Sequence, residues 1–307
     1  MALFGDYESA GVGIAKNAPK KKPFFRYWEL VFRKFWKLLE VNVLMMLSLL
    51  PLVLGAVVIV KLTEVNITLT FILLGLLAVI FVVCFGPIMA ACTQILRNFV
   101  REKPCFLMDT FFKTFRSSFK QSVVLGLIDL LVASSAASSF YVYPRMIEQQ
   151  MGFYVYILFI ATLSVAIAVL MMSFYGYLMI VSTDLSLKNI LKNSLALSIL
   201  ALKKNLITLG LTALVMGIFV VLTILFPYIM LGFWLFVPVA FVAFMIVFNC
   251  YPVIQQYIID PYYAQRGEVS PEAAYTDTDG QNLFEDQGGK EAPIEPKKKG
   301  KKGKIVS

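Results

Sequence analysis

The sequence predicts an all-α membrane protein with six transmembrane helices arranged as three hairpins, each preceded by a basic amphipathic interfacial helix. Three observations carry this reading. Six apolar stretches, at 41–60, 67–91, 122–142, 153–182, 206–226 and 233–251, each meet the length of about 20 residues that a helix needs to cross a bilayer. Of the 28 Lys and Arg residues, 26 fall in alternate segments on one side of these stretches and 2 on the other. The positive-inside rule then places both termini and the two longer loops in the cytoplasm. Finally, a chain that is 59% hydrophobic and 15% charged falls well short of the roughly 25% charge of a water-soluble surface. The net charge of +9 would elsewhere suggest nucleic acid. Here it follows from topology, and no nucleic-acid partner is expected.

The chain divides into a flexible basic cytoplasmic tail at 1–23, a six-helix membrane domain at 24–263 and a disordered cytoplasmic tail at 264–307. The last of these closes on Lys297, Lys298, Lys299, Lys301, Lys302 and Lys304, a polybasic end suited to anionic lipid at about 1 kcal/mol per cation near the surface. The first apolar stretch lies behind a long basic tail without a small-residue cleavage motif, so the first span is expected to remain in the mature protein.

Each hairpin opens on a segment in which apolar residues recur at helical spacing and cations fall between them. In 24–39 the stripe is Phe32, Phe35, Trp36 and Leu39, against Arg33, Lys34 and Lys37. In 107–120 it is Met108, Phe111, Phe112, Phe115 and Phe119, against Lys113, Arg116 and Lys120. In 187–204 it is Leu187, Ile190, Leu191, Leu195 and Leu202, against Lys188, Lys192, Lys203 and Lys204. Such a pattern describes a helix lying in the membrane interface. The far-side loops, 61–66, 143–152 and 227–232, are short, which makes the spans they join antiparallel neighbours. Phe85-Gly86-Pro87, Tyr175-Gly176-Tyr177 and Tyr251-Pro252 close the second span of each pair, so the chain reads as a threefold internal repeat.

The residues that could carry chemistry are few. No His is present, and Cys84, Cys92, Cys105 and Cys250 form no CxxC pair, so no transition-metal site and no His-based catalysis is expected, and no cofactor. Asp129 is the one acid well inside a span, about 10 Å into the hydrocarbon counting from Ser122. An acid at that depth faces the bundle or a wet cavity. It reads either as a proton- or cation-binding carboxylate or as a hydrogen-bond partner of a neighbouring helix. Ala133, Ser134, Ser135, Ala136, Ala137, Ser138 and Ser139 follow as an unbroken small-residue run, which predicts that span three is the most surrounded helix. Serines there could also line a polar pocket. Asn249, with Gln255, Gln256 and Asp260 beyond it, is expected to satisfy backbone groups freed by Pro252.

The stretch from Phe85-Gly86-Pro87 through Arg97, Arg101 and Glu102 to Asp109, Phe111, Phe112, Phe115, Phe119, Lys120, Gln121 and Ser122 resembles the YesL family of bacterial multi-pass membrane proteins, whose domain has no known function. The resemblance continues over Lys188, Asn189, Lys192 and Asn193 and spans about 24–263. Members often accompany carbohydrate ABC transporters and sensor kinases. The resemblance therefore implies a non-enzymatic accessory or regulatory role in sugar uptake or sensing, with transporter subunits or a kinase as partners beside the bilayer itself. Lys113, Arg116, Lys120, Lys188 and Lys192 are the candidate docking residues. The alternative is a small-solute transporter or channel whose path is lined by Asp129, Ser134, Ser135, Ser138 and Asn249. No Gly-x-x-x-x-Gly-Lys phosphate loop is present, and the lone Glu-Ala-Ala, at Glu272, lies in the tail, away from where an importer would meet its ATPase.

Overall fold

In lipid a spanning segment must satisfy its own backbone hydrogen bonds, so long apolar runs fold as helices. A computed structural model describes this for residues 22–62, 66–149 and 152–268, apart from the side chain of Leu231, and every regular element among the described residues is helical. In order these are α1 (Pro23–Arg33), α2 (Phe35–Leu62), α3 (Ile67–Val100), α4 (Leu107–Ser117), α5 (Phe119–Glu148), α6 (Tyr154–Ser182), α7 (Leu187–Leu200), α8 (Leu202–Leu225), α9 (Pro227–Phe236), α10 (Pro238–Ile254), a π-helical turn Gln255–Ile259 and α11 (Asp260–Arg266). Among the described residues, six helices are long and apolar enough to cross a membrane. Lys21–Ile259 form one compact unit; α11 belongs to a second. The 1–21 part of the N-terminal tail and the six C-terminal lysines lie outside the described residues.

The amphipathic segments do not run smoothly into their spans. Each breaks at one residue, Lys34, Ser118 or Ala201, with nearly the same backbone angles: φ/ψ of −105°/13°, −95°/3° and −100°/28°. Around each break the ladder is kept. Lys34, Ser118 and Ala201 donate to Leu30, Thr114 and Leu197, and their own carbonyls accept from Leu38, Ser122 and Asn205. Those last three residues are all fully buried. The short helix, kink and long helix therefore recur three times at near-equal spacing, which gives the sequence repeat a structural counterpart.

Along the spans, α2 packs on α3, α5 on α6 and α8 on α10, while α3 and α6 also lie against α5. Buried residues concentrate at the ends nearest α1, α4 and α7: Leu38 to Met45 in α2, Gly86 to Val100 in α3, Ser122 to Gly126 in α5, Met171 to Ile180 in α6, and Asn205 and Thr208 in α8. Away from that end α3 presents Ile67, Phe71, Ile72, Leu76 and Val79 to the surroundings. A helix that is apolar all round and unpacked is a lipid-facing one.

Close packing at the core is made possible by glycine. A Cβ on Gly126 of α5 would lie 2.7 Å from the Cα of Gly86 on α3, and one on Gly86 would collide with the carbonyl of Ser122. On the other flank a Cβ on Gly176 of α6 would come within 2.8 Å of Leu125. Small residues let helix backbones approach in lipid, where dispersion contacts replace the hydrophobic drive. Span three is thus surrounded, but at 122–126 and not at the serine run. Ala133, Ser134, Ser135, Ala137 and Ser138 are exposed and Ser139 is buried. The run falls where α5 has moved out of the core, so most of its small side chains are exposed while the close approaches of span three lie at the other end of the helix.

Three further boundaries differ from expectation. The 227–232 segment is not a loop but the start of α9, because Pro227 opens a helix at a position where its missing N–H is harmless. The sixth stretch is interrupted at Val237, immediately before Pro238, which brings no N–H to the ladder and stands in the first turn of α10. Likewise 143–148 continue α5, with Pro144 carried inside it.

Candidate docking face and buried polar core

The five candidate cations are all exposed. Lys113 and Arg116 lie one turn apart on α4 and line a shallow open depression with Asp109, Phe112 and Ser117. Lys120 is in the first turn of α5, beyond the kink, and Lys188 and Lys192 are one turn apart on α7. Inward-facing residues hold these helices in place. Phe111 and Thr114 bury α4, and Ile190, Ser194, Leu197 and Ser198 bury α7. Gln121 Nε2 donates to the carbonyl of Leu185 at 3.1 Å, tying the start of α5 to the segment that leads into α7. The α1 helix joins through Leu30 and Val31 and through Tyr27, whose ring stacks on Phe244 of α10 at 5.8 Å. Burial there pushes the Tyr27 phenol up to about 12. Cys105, in the connection between α3 and α4, is also pushed up by burial, against the opposing effect of Lys34.

Beneath this face lies a set of buried polar residues. Arg97 of α3 is 7% exposed. Its guanidinium donates to the carbonyl of Val181, near the end of α6, at 3.0 Å and reaches the Tyr251 hydroxyl of α10 at 3.4 Å. A cation at a helix C-terminus also meets the negative end of the helix dipole. Asn205, fully buried in α8, accepts from the Tyr175 hydroxyl of α6 at 2.5 Å and donates to Ser198 O at 2.9 Å across the α7–α8 kink. Asn42 of α2 bonds across the α9–α10 break, to Trp234 O, Leu235 O and the Ala240 amide. Asn42, Asn205 and Tyr175 as cross-helix ties escaped the sequence reading, and Arg97 entered it only through the family resemblance. The available signal was a lone polar residue inside an apolar run, which announces a partner without naming it.

The intramembrane candidates do not gather into one site. Asp129 is half-buried on α5 and accepts a hydrogen bond from Ser173 of α6. Tyr177, buried on the same face of α6, lies beside that carboxylate, although its hydroxyl is outside hydrogen-bonding geometry. Ser134 Oγ donates to its own helix, at Leu131 O, and is exposed with Ser135 and Ser138. Asn249 donates to Thr208 Oγ1 of α8 at 3.1 Å. Its amide therefore joins two spans. The backbone beyond Pro252 passes through the π-helical turn. No group of three or more His, Cys, Asp or Glu placed to hold a metal occurs among the described residues.

With this geometry in hand, comparison with known proteins adds one finding. Residues 38–140 match the family described as Protein of unknown function, DUF624, which is the YesL-like domain of unknown function in bacterial membrane proteins. The matched segment takes in α2, α3, α4 and most of α5, and therefore both the Gly86–Gly126 crossing and the α4 cations. No curated protein and no solved structure matches the chain.

Proposed function

We propose that this is a non-enzymatic accessory or regulatory protein of the bacterial cell membrane that serves carbohydrate uptake by ABC transporters, or sugar sensing by a kinase. In this reading the three hairpins stand with α1, α4 and α7 at the cytoplasmic interface, both termini inside, and those helices dock the partner. The observation that carries the reading is the coupling of an exposed basic and aromatic face to a tied core directly beneath it. Arg97, Asn205 and Asn42 fix the ends of α3, α6, α8 and α10, while Lys113, Arg116, Lys188 and Lys192 remain at the surface. A surface held rigidly loses little conformational entropy on binding, which favours recognition.

The test is capture of membrane partners in mild detergent from cells grown on inducing sugars. The wild-type chain should recover transporter subunits or a kinase, and Lys113→Glu with Arg116→Glu should lose them. Recovery of no membrane partner would defeat the reading. A second reading, a small-solute transporter, draws on the contact of Asp129 with Ser173 inside the membrane. Reconstituted liposomes showing no flux of sugars, cations or protons would remove it.

A further inference from the structure

Glu102 stands where a helix end ordinarily takes glycine. Its φ is +57°, a left-handed conformation in which Cβ crowds the following carbonyl. It is the first residue past the cap of α3, in the paired bonding of a Schellman motif. Its amide donates to Phe99 O at 3.1 Å and that of Lys103 to Asn98 O at 2.9 Å, a position for which glycine is the usual occupant. The side chain that incurs this strain has a definite contact: Oε2 lies 2.5 Å from Nη2 of Arg33, the last residue of α1. Both partners are about half exposed, so the pair is screened and weak by itself.

The helix fastened in this way is built for a surface. Apart from Leu30, Val31 and the Tyr27 ring, α1 turns outward. Phe24, Phe25, Trp28 and Phe32 are 66%, 62%, 43% and 72% exposed, and each touches another ring of the group. Lys22, Arg26 and Arg33 are exposed on the same short segment. One residue past α1 the chain enters the span Phe35–Leu62, so covalent continuity holds these rings and cations near headgroup depth.

We infer that the aromatic and cationic face of α1 takes the surface of an anionic bilayer, and that lipid phosphates compete with Glu102 for Arg33. The inference rests on the interfacial placement of α1 proposed above. Lipid is the occupant because tryptophan and phenylalanine beside cations match an acyl boundary roofed by negative headgroups. Guanidinium also bonds phosphate in the same bidentate manner as carboxylate. On a neutral membrane Arg33 stays on Glu102. On an anionic one it transfers to phosphate and α1 settles into the interface.

The test uses the full chain reconstituted into phosphatidylcholine vesicles with increasing phosphatidylglycerol. The Trp28 signal is taken as the difference between wild type and Trp28→Phe. Anionic lipid should raise its quenching by lipids brominated in the acyl chain and lower its quenching by aqueous acrylamide. Arg33→Gln should weaken the binding constant fitted to this titration about fivefold, the ratio set by about 1 kcal/mol per cation, and Glu102→Gln should strengthen it. Trp28 signals indifferent to anionic lipid, or Arg33→Gln and Glu102→Gln moving the titration the same way, would overturn the inference. Since the vesicles hold no partner protein, failure here leaves partner capture in detergent standing, and failure of capture leaves this titration standing.

Discussion

Asn42 Oδ1 accepts the Ala240 amide at 2.7 Å, while its Nδ2 donates to Trp234 O and Leu235 O. One side chain of α2 therefore serves both lips of the break between α9 and α10. At this break Pro238 supplies no N–H to the ladder, and in lipid the backbone groups left over have no water to turn to.

Asn42→Leu keeps the branched shape of the side chain and removes all three bonds. It is expected to cost about 1 to 2 kcal/mol, between the typical worth of a membrane hydrogen bond and the penalty for an unsatisfied buried one. Reversible unfolding of the purified protein in mixed micelles measures this. An unchanged midpoint would show that the broken helix does not depend on the tie.

The Gly86 and Gly126 crossing makes a contrasting prediction. Gly126→Ala places a methyl 2.7 Å from the α3 backbone, which cannot rotate aside as a side chain would, and should destabilise by about 1 to 3 kcal/mol. At Gly75 a Cβ meets nothing within 4 Å, so Gly75→Ala should be neutral or slightly stabilising. Equal effects of the two substitutions in the same unfolding assay would contradict the close approach.

Glu102 gives a series with distinct signs. Glu102→Ala keeps the left-handed backbone and loses the Arg33 contact, so it should destabilise. Glu102→Gly loses the same contact but relieves strain of about 1 to 2 kcal/mol against an ion pair worth at most about 1 kcal/mol. It should therefore be at least as stable as wild type, and clearly more stable than the alanine variant. Thermal melts of the three proteins in one detergent decide the order.

Tyr27 supplies a pH dependence. Its phenol is pushed from 10.0 up to about 12 by burial, so the folded state favours the neutral ring. The resulting stabilisation of the α1 docking is complete below pH 10 and is lost as pH rises from 10 toward 12. Protease sensitivity of α1 should rise across that window in wild type, and Tyr27→Phe should remove the Tyr27-dependent part of the rise.

How much of this was legible depends on the range over which each cause acts. The six spans follow from local apolar length, and the stripes at 107–120 and 187–204 correctly marked α4 and α7. Kinks at Lys34, Ser118 and Ala201 were not legible, since none of the three is glycine or proline and the local ladder of hydrogen bonds continues around each. Asn42 gave no hint of a partner nearly two hundred residues away. The serine run did not locate the contact, because small residues permit close packing without compelling it: the crossing formed at Gly86 and Gly126, where two small sites face each other. Asp129 reads as either a functional acid or an interhelical bond partner, and its depth in the span gave no hint that Ser173 of α6 would face it.

Placement of the docking helices on one side of the membrane is tested most directly by labelling of single cysteines. In a background with Cys84, Cys92, Cys105 and Cys250 replaced, Lys113→Cys and Lys192→Cys should react with an impermeant maleimide only after cells are opened. Lys61→Cys and Arg145→Cys should react in intact cells. Labelling of all four from the same side would contradict the account.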